Sequence, residues 1–259
     1  MKRSRYARWA LLSLLGMAIS GFVVRSNGHA AYLGIELIEP RQVQVGSFFN
    51  GKDINVRAIF PCECDLALRI LGPRENLELM KKGRVGPLWM NVEEVTFARV
   101  PRAYLLWTSK KMGDPGLKKL KFDCASILAG SLQGKTPEQE EFLINELIKL
   151  KKHDKLYEIL EGTIQIKPLE DGFLSRAEAV LHLPAKISPG LYTLEIIAFK
   201  EGESTLLRSY PLKVQLTGLP AVLQDLSRRR SLLYGVLAVF IATLGGLGMG
   251  IFFSSRGSH

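Results

Sequence analysis

The chain has 259 residues, with 35 Lys and Arg against 25 Asp and Glu, a formal net charge of +10. Nine of the basic residues flank two apolar stretches (Lys2, Arg3, Arg5, Arg8, Arg25, Arg228, Arg229, Arg230 and Arg256), while every acidic residue lies between Glu36 and Asp225. The intervening domain sets 26 basic against 25 acidic residues, a net charge of +1, so it lacks the basic surface that nucleic-acid binding requires and the excess charge belongs to a lipid boundary.

Residues 1–30 read as a signal peptide or a retained N-terminal anchor. A basic start precedes the apolar run WALLSLLGMAISGFVV, and the small-residue exit RSNGHAA follows it, the order of parts in a secretory signal. Those 16 residues make a helix of roughly 24 Å, short of the ~30 Å hydrocarbon core, which favours cleavage after Ala30 or Ala31.

From residue 31 to 217 the pattern is that of a domain built mainly of strands. The runs IELIEPRQVQVG, DINVRAIF, DLALRILG, EVTFARVP and AYLLWTS come first, and GTIQIKP, RAEAVLHLP, GLYTLEIIAFK and SYPLKVQL return later, broken by Gly, Pro and Asn. About nine strands with short connections predict a mainly β fold, an immunoglobulin-like β-sandwich.

Between the two groups, over about residues 115–161, the period turns helical and predicts an inserted helical segment. Leu117, Leu120, Cys124, Ile127 and Leu128 fall on one face at three- and four-residue steps. TPEQEEFLINELIKLKK then opens with Thr136 as N-cap, Pro137 at the first helical position and Gln139 completing a capping box. The stretch AGSLQGKT matches a relaxed phosphate-loop pattern. Its preceding residues have helical period, however, and Pro137 removes an N–H donor that a phosphate would need, so no nucleotide is expected there.

The three cysteines leave alternatives open. Cys62 and Cys64, one residue apart, point to one face of a strand. They are buried small hydrophobes, or one of them bridges to Cys124 in an oxidising compartment, or the pair serves metal or thiol-redox chemistry. The chain has no G-x-S-x-G elbow, H-E-x-x-H pair or EF-hand loop, and the carboxylate pairs Glu93–Glu94 and Glu140–Glu141 sit in polar runs. The expectation is therefore a protein that is not an enzyme and that carries no cofactor. In GPLWMNVEEVTFARVPRAYLLW, Trp89, Arg99, Arg102, Tyr104 and Trp107 would form an interface hot spot if exposed, and with Phe97 the aromatics would fill the core if not.

Residues 218–230 form a juxtamembrane basic segment, either a short interfacial helix or a solvated flank. Residues 231–253, SLLYGVLAVFIATLGGLGMGIFF, are uncharged and long enough to cross a bilayer, leaving 254–259 as a cytoplasmic tail. Ala242, Gly246 and Gly250 recur at four-residue steps and present a flat face for helix association. The basic N-terminus favours staying in the cytoplasm, which places residues 31–217 on the extracytoplasmic side of the membrane.

The stretches SFFNGKDINV, LRILGPRENLELMKKGRVGPLWMNVEEVTFARVPRAYLLWTS, ISPGLYTLEIIAFKEGE and RSLLYGVLAVFIATLGGLGMGIFF, in that order, resemble the Alph_Pro_TM family of bacterial transmembrane proteins. Gly86, Trp89, Asn91, Phe97, Pro101 and Tyr104 lie in the most specific block. The resemblance implies a signal or anchor, an extracytoplasmic domain and a C-terminal span. It implies no activity, and only a loose association with sulfite-exporter-like permeases. The functional expectation is a membrane-anchored accessory protein that engages a partner membrane protein or a second copy. The rival is a periplasmic metal or thiol-redox protein using Cys62 and Cys64.

Overall fold

The computed structural model describes residues 34–61, 64–111, 119–132, 134–170, 174–200 and 203–254. The signal or anchor segment, Cys62, Leu117 and the tail beyond residue 254 lie outside them.

Two sheets share one core. The first has four strands in the order β1 (Gly34–Glu39), β3 (Lys52–Pro61), β10 (Leu174–Leu183) and β9 (Gln165–Pro168). The second has six: β2 (Gln42–Val45), β12 (Glu203–Leu216), β11 (Gly190–Lys200), β4 (Asp65–Leu71), β7 (Tyr104–Thr108) and β8 (Tyr157–Leu160). In β10 the alternation LSRAEAVLHL sends Ala177, Ala179, Leu181 and Leu183 inward, because successive strand side chains point to opposite faces. They meet Leu68, Trp107, Leu194 and Leu212 of the other sheet.

The six-stranded sheet is covered on both faces, which explains why AYLLW is a continuous apolar run rather than an alternating one. Leu105 and Trp107 face the first core, whereas Tyr104 and Leu106 face a second one. That second core is closed by α1 (Cys124–Leu128), by α2 (Pro137–His153) and by residues of β6 (Leu88–Pro101).

The helical stretch differs from the expectation in one respect. Residues 157–160, assigned to helix by the sequence, form β8 and pair in parallel with β7 in the register Tyr104↔Tyr157 to Trp107↔Leu160. Parallel neighbours need a crossover of a dozen or more residues, usually helical. The helices are thus the crossover from β7 to β8, and α2 stops at His153. Its N-terminus is as expected: the Thr136 side chain accepts from the Gln139 N–H and the Gln139 side chain accepts from the Thr136 N–H. Before it, Asp123 caps α1 by accepting from the Ser126 N–H at 2.9 Å.

Beyond β12, α3 (Leu219–Arg229) precedes α4 (Ser231–Ser254). Among the described residues, α4 is the one helix long and apolar enough to cross a membrane.

Candidate functional site

A two-stranded arm of β5 (Arg74–Val85) and β6 leaves the packed layers, a hairpin that the sequence pattern does not reveal. β4, β5, β6 and β7 form one continuous ribbon. β4 pairs with β7 within the six-stranded sheet, and β5 pairs with β6 outside it. The two halves join where the Gly72 N–H donates to the Ala103 carbonyl at 2.9 Å and the Arg102 N–H donates to the Pro73 carbonyl at 3.0 Å. A Cβ on Gly72 would stand 2.7 Å from the Ala103 nitrogen, so the ribbon can bend there only around a residue without a side chain.

Arg102 braces the bend. Its Nε donates to Glu75 Oε2 at 2.6 Å and its Nη1 donates to the Pro189 carbonyl at 3.1 Å. Its own carbonyl accepts from Lys151 Nζ at 3.4 Å, which ties the bend to α2. Lys151 is buried, and that burial pulls its pKa below the ordinary lysine value. Arg99 lies at a register shift between the strands with φ 53°, a left-handed conformation uncommon for a residue with a side chain. Asn76 Oδ1 holds it there by accepting its N–H at 3.1 Å. Bulges of this kind re-aim a strand.

The base of the arm is packed, with Val95, Phe97 and Val100 buried in the second core. The distal part is not. The Val85↔Leu88 and Gly83↔Met90 pairings, with the two-residue period, put Val85, Leu88, Met90 and Val92 on one face, all exposed. Trp89, 73 % exposed, lies on the other face opposite Arg84. Gly86 at the tip takes φ 61°, as the first central position of a two-residue hairpin turn demands. Where the arm runs beside α2, a cleft of about 360 Å³ is lined by Met80, Val95, Phe97, Phe142, Leu147 and Leu150.

Glu93 ties arm and helix together, with Oε1 2.5 Å from Lys135 Nζ and Oε2 3.5 Å from Lys81 Nζ. The hydrogen bond and charge of Lys135 hold its carboxyl below the usual range. The lysine and threonine of the phosphate-loop-like stretch are thus engaged elsewhere, Lys135 with Glu93 and Thr136 as a helix cap.

The five candidate interface residues do not form one surface. Tyr104 and Trp107 are buried on opposite faces of β7, 0 % and 1 % exposed, because that strand is covered on both sides. Tyr104 donates its hydroxyl to the Phe122 carbonyl at 2.7 Å and lies edge-to-face with Tyr157 at 6.3 Å between ring centroids. Arg102 is the brace at the bend. Trp89 and Arg99 alone are exposed, and no sequence motif singles out the apolar residues around Trp89.

Cys64 is half-buried against the first core and Cys124 is buried in the second. Both are free thiols, so of the three alternatives the bridge to Cys124 is not made, and burial pushes the Cys124 thiol up. Among the described residues, no group of three His, Cys, Asp or Glu side chains could hold a metal ion. In α4, a Cβ added at Gly246 or Gly250 would meet nothing within 4 Å among the described residues, none of which covers that face.

Residues 37–255, from β1 to the end of α4, match the family model described as "Putative transmembrane protein (Alph_Pro_TM)". The chain belongs to this family. No curated protein and no solved structure matches it. Family and apolar helix together point to a membrane-associated protein with a mainly β domain.

Proposed function

We propose that this member of the family is a non-enzymatic, single-pass accessory protein of the bacterial inner membrane that presents its β5–β6 arm to a partner membrane protein. In this reading residues 1–30 are a signal peptide or anchor. Residues 31–217 stand on the extracytoplasmic side as an immunoglobulin-like sandwich, α4 spans the bilayer and 254–259 face the cytoplasm. The observation that carries it is the uncovered stripe of Val85, Leu88, Met90 and Val92, with Trp89 behind it, on an arm braced at its base by Arg102 and Glu93. A rigid support under exposed aromatic and aliphatic anchors is the arrangement of a binding hot spot. A transporter, such as a sulfite-exporter-like permease, is the partner class that the family resemblance suggests.

The test is a photo-reactive residue at position 90 of the full-length protein in native membranes. The expected product is a cross-link to a membrane protein that disappears with Leu88→Glu. Cross-links to lipid only, or a product unchanged by that substitution, would overturn the proposal. A second reading, self-association through Ala242, Gly246 and Gly250, is favoured by the open space around the two glycines. It predicts that Gly246→Leu lowers the dimer fraction in bilayers. The metal or thiol-redox alternative draws no support from Cys64 and Cys124, which sit in different cores.

A further inference from the structure

We infer that α3 lies on the membrane surface, its apolar stripe in the boundary between headgroups and acyl chains and its arginines on the anionic headgroups of that leaflet. The sequence LPAVLQDLSRR places Leu219, Val222, Leu223 and Leu226 at i, i+3, i+4 and i+7, a stripe about 100° wide. Gln224, Asp225 and Arg228 lie off it. Low overall hydrophobicity, one apolar stripe and basic residues on the polar side are the signature of a helix that rests in the interface rather than crossing it.

Among the described residues, none buries that stripe. No residue of α3 is buried, and Leu219 and Val222 are exposed by more than half. An 11-residue helix is too short to be stable in water by itself, so something has to cover it. The connections say what. Gly218, at φ 67°, breaks the chain after β12, and Arg230, at φ −135° and ψ 54°, is the single non-helical residue between α3 and α4. The 24 residues of α4 rise roughly 36 Å, enough to carry Ser231 to the edge of a ~30 Å hydrocarbon core. A helix tied one residue from that edge is held against the headgroups.

The charge fits the same occupant. Arg229 pairs with Asp225 at 2.9 Å, while Arg228 and Arg230 have no acidic partner among the described residues.

Hydrogen–deuterium exchange on the full-length protein tests it, in nanodiscs of phosphatidylcholine alone and of phosphatidylcholine mixed with phosphatidylglycerol. Amides 222–229 are expected to exchange roughly tenfold more slowly in the mixed bilayer, the difference shrinking as salt is raised. Replacing Arg228, Arg229 and Arg230 by Gln should abolish the difference, and Leu223→Glu should speed exchange in both bilayers. Because α3 lies outside both cores, neither variant should change the unfolding temperature of the β domain. Equal exchange in the two bilayers overturns the inference, as does slow exchange that survives the loss of the arginines. The latter is what cover by a partner protein or a second copy would produce.

Discussion

Trp89 and Trp107 are sister residues in the sequence, 18 positions apart in one aromatic block, and the structure assigns them opposite roles. Trp107 is 1 % exposed between the two sheets, and Trp89 is 73 % exposed near the tip of the arm. A buried tryptophan removes about 150–250 Å² from water, which at ~25 cal/mol per Å² sets an upper bound of about 4–6 kcal/mol on its contribution. Trp-to-Ala substitutions in cores cost about 3–5 kcal/mol. For a domain of this size each kcal/mol moves the midpoint by about 2–4 °C, so Trp107→Ala should lower Tm by about 6–20 °C. Trp89→Ala should stay within about 0.5 kcal/mol, a shift of under about 2 °C, because it leaves no cavity. The assay is thermal unfolding of the full-length protein in detergent, followed by circular dichroism. The cross-linking yield at position 90 should fall in Trp89→Ala at unchanged Tm. If the two substitutions destabilise alike, the arm is packed against the domain and the reasoning fails.

Three further outcomes follow from the cores. Lys151 is a buried cation with a lowered pKa, set first by desolvation. Once pH rises past that lowered value, the fold holds a neutral amine while the unfolded chain still binds a proton, so the cost of burial is relieved. Lys151→Met should therefore equal or exceed the native protein in stability at neutral pH, and its advantage should shrink toward alkaline pH in denaturant titrations. Gly72→Ala, which would press a Cβ to 2.7 Å from the Ala103 nitrogen, should cost about 1–3 kcal/mol in the same titration. Cys64, half-buried, should react with maleimide in the native protein. Cys124, buried with its thiol pushed up, should react only after unfolding, as read by mass spectrometry of the labelled peptides.

The elements legible in the sequence are those whose signal is local. The capping box at Thr136 and the uncharged run of α4 each stand complete within a few turns of chain, and both recur in the structure as read. β5 is not legible because RENLELMKKGRV has seven charged or amide side chains among its 12 residues. It pairs only with β6 and buries little, so burial leaves almost no pattern in it. β8 passes for helix in the sequence because YEIL is four residues long, too short for a period of two to be told from one of 3.6.

The sequence by itself determined the class of the domain, its capped helix, the apolar segment long enough to cross a membrane and the nearly neutral charge of the bulk. Tertiary structure alone decided which aromatic is core and which is surface, that Cys64 and Cys124 go to different cores, that the helices are a crossover, and that one ribbon leaves the sheet as an arm. The physical reason is the range of the interactions. Capping, period and hydropathy act between neighbours along the chain, whereas the cover on β7 comes from residues as distant as Ile54 and Leu212 on one face and Leu147 and Phe199 on the other, and no short window of sequence contains them.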